Sequence, residues 1–212
     1  MGIPVLILGE SGSGKSTSMR NFDIDEVGIF NVASKPLSFR KKIPKADGFT
    51  YGTIIAGLSK ARLKKYVIDD SQYLMAFEMF EHAKETGYGK FTDMALNFKA
   101  LIDFVIKKTA DDVIVYFLHH VEKTEDGRTK AKTSGKMLDN QLTVEGLFSI
   151  VLLCMSDGIS HKFITQTDGS TTAKSPMDMF DLEIDNDLKM VDKTIREYWG
   201  LNSNSNNESE DK

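Results

Sequence analysis

One stretch limits what this chain can fold into more than any other: Gly9-Glu10-Ser11-Gly12-Ser13-Gly14-Lys15-Ser16, with Thr17 behind it. It satisfies G-x-x-x-x-G-K-[ST] at every fixed position, and with glycine at about 7% of average usage such a match seldom arises by chance. Ile3 to Leu8, directly before it, is an apolar run of strand length, while Lys15 to Phe22, directly after it, lacks Gly and Pro. The order predicted is therefore strand, glycine loop, helix, which is the context that gives the motif meaning. Glycines let successive backbone N–H groups turn inward toward phosphate oxygens, and a following helix adds the positive end of its dipole. Lys15 is then placed for the β- and γ-phosphates of a nucleoside triphosphate, and the Ser16 hydroxyl for Mg²⁺.

The rest of the composition is compatible with one α/β unit. The chain has 212 residues, 41% hydrophobic and 27% charged, enough to bury a sizeable core. No apolar run approaches the ~18 residues of a membrane span, so no membrane partner is expected. The apolar N-terminal stretch has no basic region before it and runs straight into the glycine loop, so it reads as a core strand and not as a signal peptide. The single cysteine, Cys154, sits in the apolar run Ile150 to Met155 and reads as a buried thiol, which together with the absence of a leader points to the cytoplasm. A net charge of −4 argues against bulk capture of nucleic acid but leaves room for a local basic groove.

Val27 to Val32 reads as the second strand. The following segment, Lys35 to Lys45, has five basic residues and no acid; it is either a solvated loop or a contact for phosphates. Thr53 to Lys65 has a helical pattern broken by Gly57, and it leads into Tyr66-Val67-Ile68-Asp69-Asp70. A short apolar strand ending in aspartate delivers a carboxylate beside a phosphate loop, where Asp69 would hold Mg²⁺. Asp70 either serves the attacking water or caps the helix that follows. Helices are expected over Tyr73 to Glu85 and Phe91 to Ala110.

Val113 to Leu118 has the unbroken apolarity of a strand buried on both faces and ends at His119-His120. The C-terminal edge of a central parallel strand is where ligands bind in open α/β sheets, so one histidine, with His119 the first choice, is a candidate γ-phosphate sensor; the alternative is a histidine satisfying local hydrogen bonds. Val121 to Lys136 carries Lys123, Arg128, Lys130, Lys132 and Lys136 against three acids, with a tight turn at Glu125 to Arg128. That predicts a projecting hairpin or mobile loop able to track a phosphate backbone. Leu147 to Met155 is a further buried strand, His161 to Thr167 an antiparallel addition, and Leu188 to Trp199 a final helix stopped by Gly200. Residues 1–202 form one domain on this reading; 203–212, rich in Asn, Ser and acids, has nothing to bury and reads as a disordered tail.

Gly9 to Thr17, Tyr66 to Tyr73 (YVIDDSQY), Leu118 to Glu122 (LHHVE), Thr133-Ser134-Gly135-Lys136 and Ala173-Lys174-Ser175-Pro176, in that order, resemble the phage-encoded RecA-like ATPases of the single-strand annealing group. The resemblance covers about residues 1–200. It implies a RecA-like P-loop NTPase core with a central, mostly parallel sheet flanked by helices and an antiparallel C-terminal extension. It also implies ATP and Mg²⁺, binding of single-stranded DNA, annealing of complementary strands, self-association, dealings with replication or recombination proteins, and residence in the host cytoplasm. The chain departs from the RecA-like pattern at Asn31 to Pro36, where a catalytic glutamate is expected and no acid is present; the water would then be served by Asp70, Glu10 or another group. Two other readings stand beside it: an AAA-type helicase-loader-like module acting on protein partners, and a small-molecule kinase. Against the first, only one helix with Arg196 follows the last strands; against the second, the arginines are few and scattered.

Overall fold

The computed structural model describes residues 1–60, 62–87, 89–134 and 143–201. Among these, nine strands join in one sheet. In chain order they are β1 (Ile3–Gly9), β2 (Gly28–Asn31), β3 (Lys45–Asp47), β4 (Lys65–Asp69), β5 (Ile114–Lys123), β6 (Thr129–Ala131), β7 (Ile150–Ser156), β8 (His161–Ile164) and β9 (Glu183–Asp185). The sheet runs β3-β2-β4-β5-β1-β7-β8-β9, and β6 pairs with the far end of β5. From β3 to β7 every pairing is parallel; β7–β8, β8–β9 and β5–β6 are antiparallel. The mostly parallel sheet and the antiparallel C-terminal extension are thus as the sequence led us to expect.

Among the described residues four helices cover the sheet: α1 (Tyr51–Ser59), α2 (Gln72–Glu81) and α3 (Gly89–Lys108) on one face, and α4 (Leu188–Trp199) on the other. Burial from both sides explains the unbroken apolar strands. Leu6 and Leu8 of β1 point into the layer under α1 to α3, while Val5 and Ile7 point into the layer under α4, and all four are fully buried. Truncating one of them to alanine would cost about 2–5 kcal/mol, because a cavity adds to the lost transfer energy. Asp187 caps α4 by accepting from the N–H of Lys189, and Gly200 ends it in the left-handed conformation (φ 63°), as the sequence pattern predicts.

Three expected helices are shorter than predicted; α2 ends at Glu81 and not at Glu85. After the glycine loop there is only one 3₁₀ turn, Ser16–Met19. The Ser18 hydroxyl bonds back to the Lys15 carbonyl, a local alternative that serine offers in competition with helix, and Phe22 is already buried under the sheet. The chain then turns through 23–26 to reach β2. Helix α1 ends at Ser59 and not at Lys65, because Lys65 is the first residue of β4. The Tyr66 hydroxyl accepts from the N–H groups of Arg62 and Leu63 (3.1 and 3.0 Å) and fixes that return. Strand β9 was not foreseen. Gly135 and Lys136 of the basic segment, Asn202 and the 203–212 tail lie outside the described residues.

Candidate phosphate-binding site

The parallel strands β1, β4 and β5 end at the same edge of the sheet, with β5 between the other two. This order brings the glycine loop after β1 face to face with Asp69 and Asp70 after β4. The cleft between them has a volume of about 210 Å³ and is lined by Ser11, Gly12, Gly14 to Thr17, Lys35, Pro36, Ser38, Asp69, Asp70 and His120.

Gly12 and Gly14 have left-handed backbones (φ 81° and 100°), which turn the loop on itself. A Cβ on Gly14 would also meet the His161 ring at 2.8 Å. Among the described residues, the N–H groups of Gly12, Gly14 and Lys15 bond to no acceptor, so they are free to bind an anion. The loop is held from below. The Ser13 carbonyl accepts from the Cys154 thiol (2.9 Å) and lies 2.8 Å from His161 Nδ1, and the Asn186 amide donates to Cys154 Sγ (3.0 Å). Cys154 is therefore buried, as expected, and it braces the loop; burial pushes its thiol up to about 11.

Lys15 is buried and folded back on its own loop, donating to the carbonyls of Gly9 and Glu10 at 2.8 Å each. Burial lowers its pKa, against the pull of Cys154, Asp70 and Asp69. Ser16 Oγ donates to Asp69 Oδ1 at 2.8 Å. Burial raises the Asp69 carboxyl, with the Ser16 hydrogen bond acting against it. The two sequence-predicted metal ligands are thus brought together across 53 positions of chain. Their hard oxygen atoms fit Mg²⁺, which commonly takes one or two protein oxygens and completes its shell with waters and phosphate. Among the described residues no cluster of three His, Cys, Asp or Glu has metal-holding geometry, and a site of that kind does not require one. Thr17 also faces the cleft, its hydroxyl 2.9 Å from that of Ser38.

Asp70 sits in the left-handed region (φ 61°), a conformation that aspartate tolerates better than most residues. It turns its carboxylate into the cleft between two cationic or donor groups: Lys35 Nζ at 2.8 Å and His120 Nε2 at 3.2 Å. Burial raises its carboxyl, but the hydrogen bonds from His120 and Lys35 outweigh this and hold it below the usual range. Lys35 also lies over the Tyr73 ring, 4.7 Å from the centroid. Its ammonium is lowered by burial and raised, on balance, by Asp70.

His119 is not in the cleft. Neighbouring strand residues point to opposite faces, and His119 is fully buried with its ring against Phe98. Its Nε2 lies 2.9 Å from the Lys132 carbonyl and its Nδ1 3.0 Å from Ser71 Oγ. A carbonyl only accepts, so Nε2 carries the hydrogen and Nδ1 is an acceptor; the single Ser71 hydroxyl hydrogen faces both Nδ1 and the Leu118 carbonyl, each 3.0 Å from Oγ. Burial depresses the pKa to about 4. His120 takes the position at the cleft instead. Glu10 is exposed and its carboxylate is not part of the cleft lining, which leaves Asp70 as the carboxylate beside the glycine loop that is free of the Ser16 pair.

Lys35 and His120 are the residues missed by sequence reasoning. Lys35 belonged to the acid-free basic segment, which left a phosphate contact open, and its place after β2 is where a glutamate was expected. Period-two alternation along β5 carried the signal for His120, since a buried neighbour requires the other histidine to face away.

The basic segment forms a hairpin. Strands β5 and β6 pair from Val121–Ala131 to Lys123–Thr129 around a turn closed by Thr124 and Arg128. Arg128 pairs with Asp126 (3.0 Å) and Lys130 with Glu122 (3.3 Å). Lys123 lines a second depression with Glu10 to Ser13, and Lys132 is exposed. The hairpin is tied to the cleft, because the Lys132 N–H donates to the His120 carbonyl at 2.9 Å while its carbonyl accepts from His119. Lys174, the other lysine singled out above, forms a two-way backbone bridge with Val151.

No protein-family model matches the chain, and no curated protein sequence matches it. No helix among the described residues is long and apolar enough to cross a membrane.

Proposed function

We propose that this chain is a RecA-like P-loop ATPase of DNA recombination, which binds ATP with Mg²⁺ in the Gly9–Thr17 cleft, binds single-stranded DNA and promotes annealing of complementary strands as a self-associated assembly. The observation that carries the nucleotide part is the convergence of Lys15, Ser16, Asp69 and Asp70, from two strand ends, on one cleft with unpaired loop amides.

In this reading the free amides of Gly12, Gly14 and Lys15 receive the phosphate oxygens, and the Lys15 ammonium leaves the loop carbonyls for the β- and γ-phosphates. Ser16 and Asp69 hold Mg²⁺, which when bound offsets the charge on the phosphate oxygens. Asp70, ionised and aimed into the cleft, orients the attacking water and takes its proton as the water oxygen bonds to the γ-phosphorus. The bond to the β-phosphate bridging oxygen breaks, leaving ADP and phosphate. Lys35 and His120 donate to γ-phosphate oxygens, for which they must loosen their hold on Asp70. His120 and Lys132 share a backbone hydrogen bond, so that exchange reaches the basic hairpin, where Lys123, Arg128, Lys130 and Lys132 meet the DNA backbone.

The test is ATP turnover measured with and without single-stranded DNA, together with oligonucleotide binding across a salt series. Mg²⁺-dependent turnover, and binding that weakens steeply with salt, are expected. Absence of oligonucleotide binding at low salt, with and without ATP, would remove the DNA part and leave the nucleotide part standing.

A further inference from the structure

The antiparallel extension after β7 reaches back to the glycine loop, and it does so at one peptide unit. His161 is the first residue of β8, which lies beside β7 with Ser156 opposite His161. The turn between these strands is closed by Asp157. Its carboxylate accepts from the N–H groups of Ile159 and Ser160 (2.8 and 2.7 Å) and from the Ser160 hydroxyl (2.8 Å). His161 is thereby delivered to the loop with Nδ1 2.8 Å from the Ser13 carbonyl. A carbonyl only accepts, so Nδ1 carries the hydrogen. The Cys154 thiol donates to the same oxygen at 2.9 Å, and the Asn186 amide donates to the sulfur at 3.0 Å.

The Ser13 carbonyl and the Gly14 N–H belong to one planar trans peptide, so they point in opposite directions. Fixing the carbonyl therefore fixes the amide. Gly14 itself does not decide which way the peptide faces. Its φ is 100°, and turning the peptide over would bring φ to the opposite sign, which glycine adopts as readily. The missing Cβ is also what admits the histidine, since a Cβ at Gly14 would lie 2.8 Å from Cγ and Nδ1 of the ring. Two donors on one carbonyl thus select between orientations that the glycine leaves open. Gly14 lines the phosphate cleft, whereas Cys154 and His161 do not, so an amide turned away from these donors is turned toward the cleft. There it has no acceptor among the described residues. A carbonyl that accepts two hydrogen bonds also polarises its own peptide, which strengthens the N–H as a donor.

We infer that His161 is a positioning residue for phosphate binding: with Cys154 as second donor, it holds the Ser13–Gly14 peptide so that the Gly14 N–H faces the phosphate cleft before a ligand arrives. This rests on the nucleotide reading of the cleft proposed above. It gives the antiparallel extension a part in that site, because a donor already aimed spares the ordering cost that binding would otherwise meet.

The experiment follows the backbone amides of the full chain by NMR as ADP is added without Mg²⁺, since the loop cradles the β-phosphate. In the parent chain the Gly12 and Gly14 amide protons are expected to move downfield together and to saturate. His161→Leu keeps bulk but has no donor; ADP affinity should fall by about 10-fold or more, and the Gly14 shift should shrink while Gly12 still responds. His161→Asn places an amide N–H near the position of Nδ1 and should restore both. Cys154→Ala removes the weaker donor and should reduce the Gly14 shift to a smaller extent, a second reading that does not depend on the folding of His161→Leu. An unchanged Gly14 shift in both His161→Leu and Cys154→Ala, a loss that His161→Asn does not restore, or a loss shared equally by Gly12 would overturn the inference and leave the nucleotide reading standing. Absence of saturable ADP binding by the parent chain would bring down both.

Discussion

The glycine-loop cleft and the β5–β6 hairpin both concentrate charge, but they hold it differently. In the cleft, partners come from distant parts of the chain: Ser16 with Asp69, Lys35 with Asp70, Asp70 with His120. Lys15, Asp69 and Asp70 are buried there. On the hairpin, Arg128 and Lys130 pair with acids of the same hairpin, Asp126 and Glu122, and Arg128 and Asp126 are largely exposed. Exposed local pairs contribute about 0–1 kcal/mol and are screened by salt. Charges desolvated and aimed by the fold have no substitute when one is removed. The difference separates a site where each residue has one job from a surface where charge acts in aggregate.

The largest effect expected from that contrast is at Lys15. Lys15→Ala should lower ATP turnover on the order of 10²–10³-fold, as for other positioned donors to transition-state oxygens, while the urea midpoint stays near that of the parent chain. The loop keeps its glycines and the Cys154 and His161 braces in this variant and loses only the two bonds from the ammonium to the Gly9 and Glu10 carbonyls. Normal hydrolysis by this variant would break the comparison at its strongest point.

Asp70→Asn should come next, with turnover reduced by about 10²-fold or more and ATP affinity retained. Asparagine keeps the shape and tolerates the left-handed backbone at this position, so strain does not confuse the result. Loss of affinity in step with turnover would assign Asp70 to binding and not to the water.

His119 joins the two regions, and its effect is on stability. Its folded pKa, about 4, is below the ordinary histidine value of 6.5, so between those two values the unfolded chain binds more protons than the folded one. Stability contributed by neutral His119 is complete above pH 6.5 and is lost as pH falls toward 4, by about 3 kcal/mol in all. Urea unfolding at pH 7 and pH 4.5 should show this slope, and His119→Asn should flatten it. An equal slope in that variant would mean that other groups carry the acid sensitivity.

The smallest effect is expected for single hairpin charges. Arg128→Ala should weaken oligonucleotide binding only a few-fold and reduce the salt slope by about one counterion. A loss as large as that of Lys15→Ala would show that the hairpin too is built residue by residue.

What could be read from the sequence follows the same division. Strands β1, β4, β5 and β7 were legible because burial on both faces writes a continuous apolar run, and the glycine loop because its geometry admits few residue types. Asp69 followed from its place at a strand end. Lys35 was not legible as a site residue, since its contact with Asp70 is made 35 positions away and depends on β2 lying beside β4. The choice between His119 and His120 turned on a one-residue phase along β5 that an all-apolar strand does not display. Strand β9 has a single apolar residue, Ile184, between two acids, and only pairing with β8 makes it a strand. The short turn after the loop was missed because three consecutive hydroxyl residues, Ser16 to Ser18, can satisfy the backbone without a full helix.

On the proposed function, Lys15, Ser16 and Asp69 form one triphosphate and Mg²⁺ site. Equilibrium titration of the parent chain with ATP, with Mg²⁺ and then with the metal chelated, tests it most directly. Saturable binding at one site per chain, tightened by Mg²⁺ in the parent and not in Asp69→Asn, is the predicted result. Absence of saturable ATP binding, or a Mg²⁺ dependence that survives in Asp69→Asn, would contradict it.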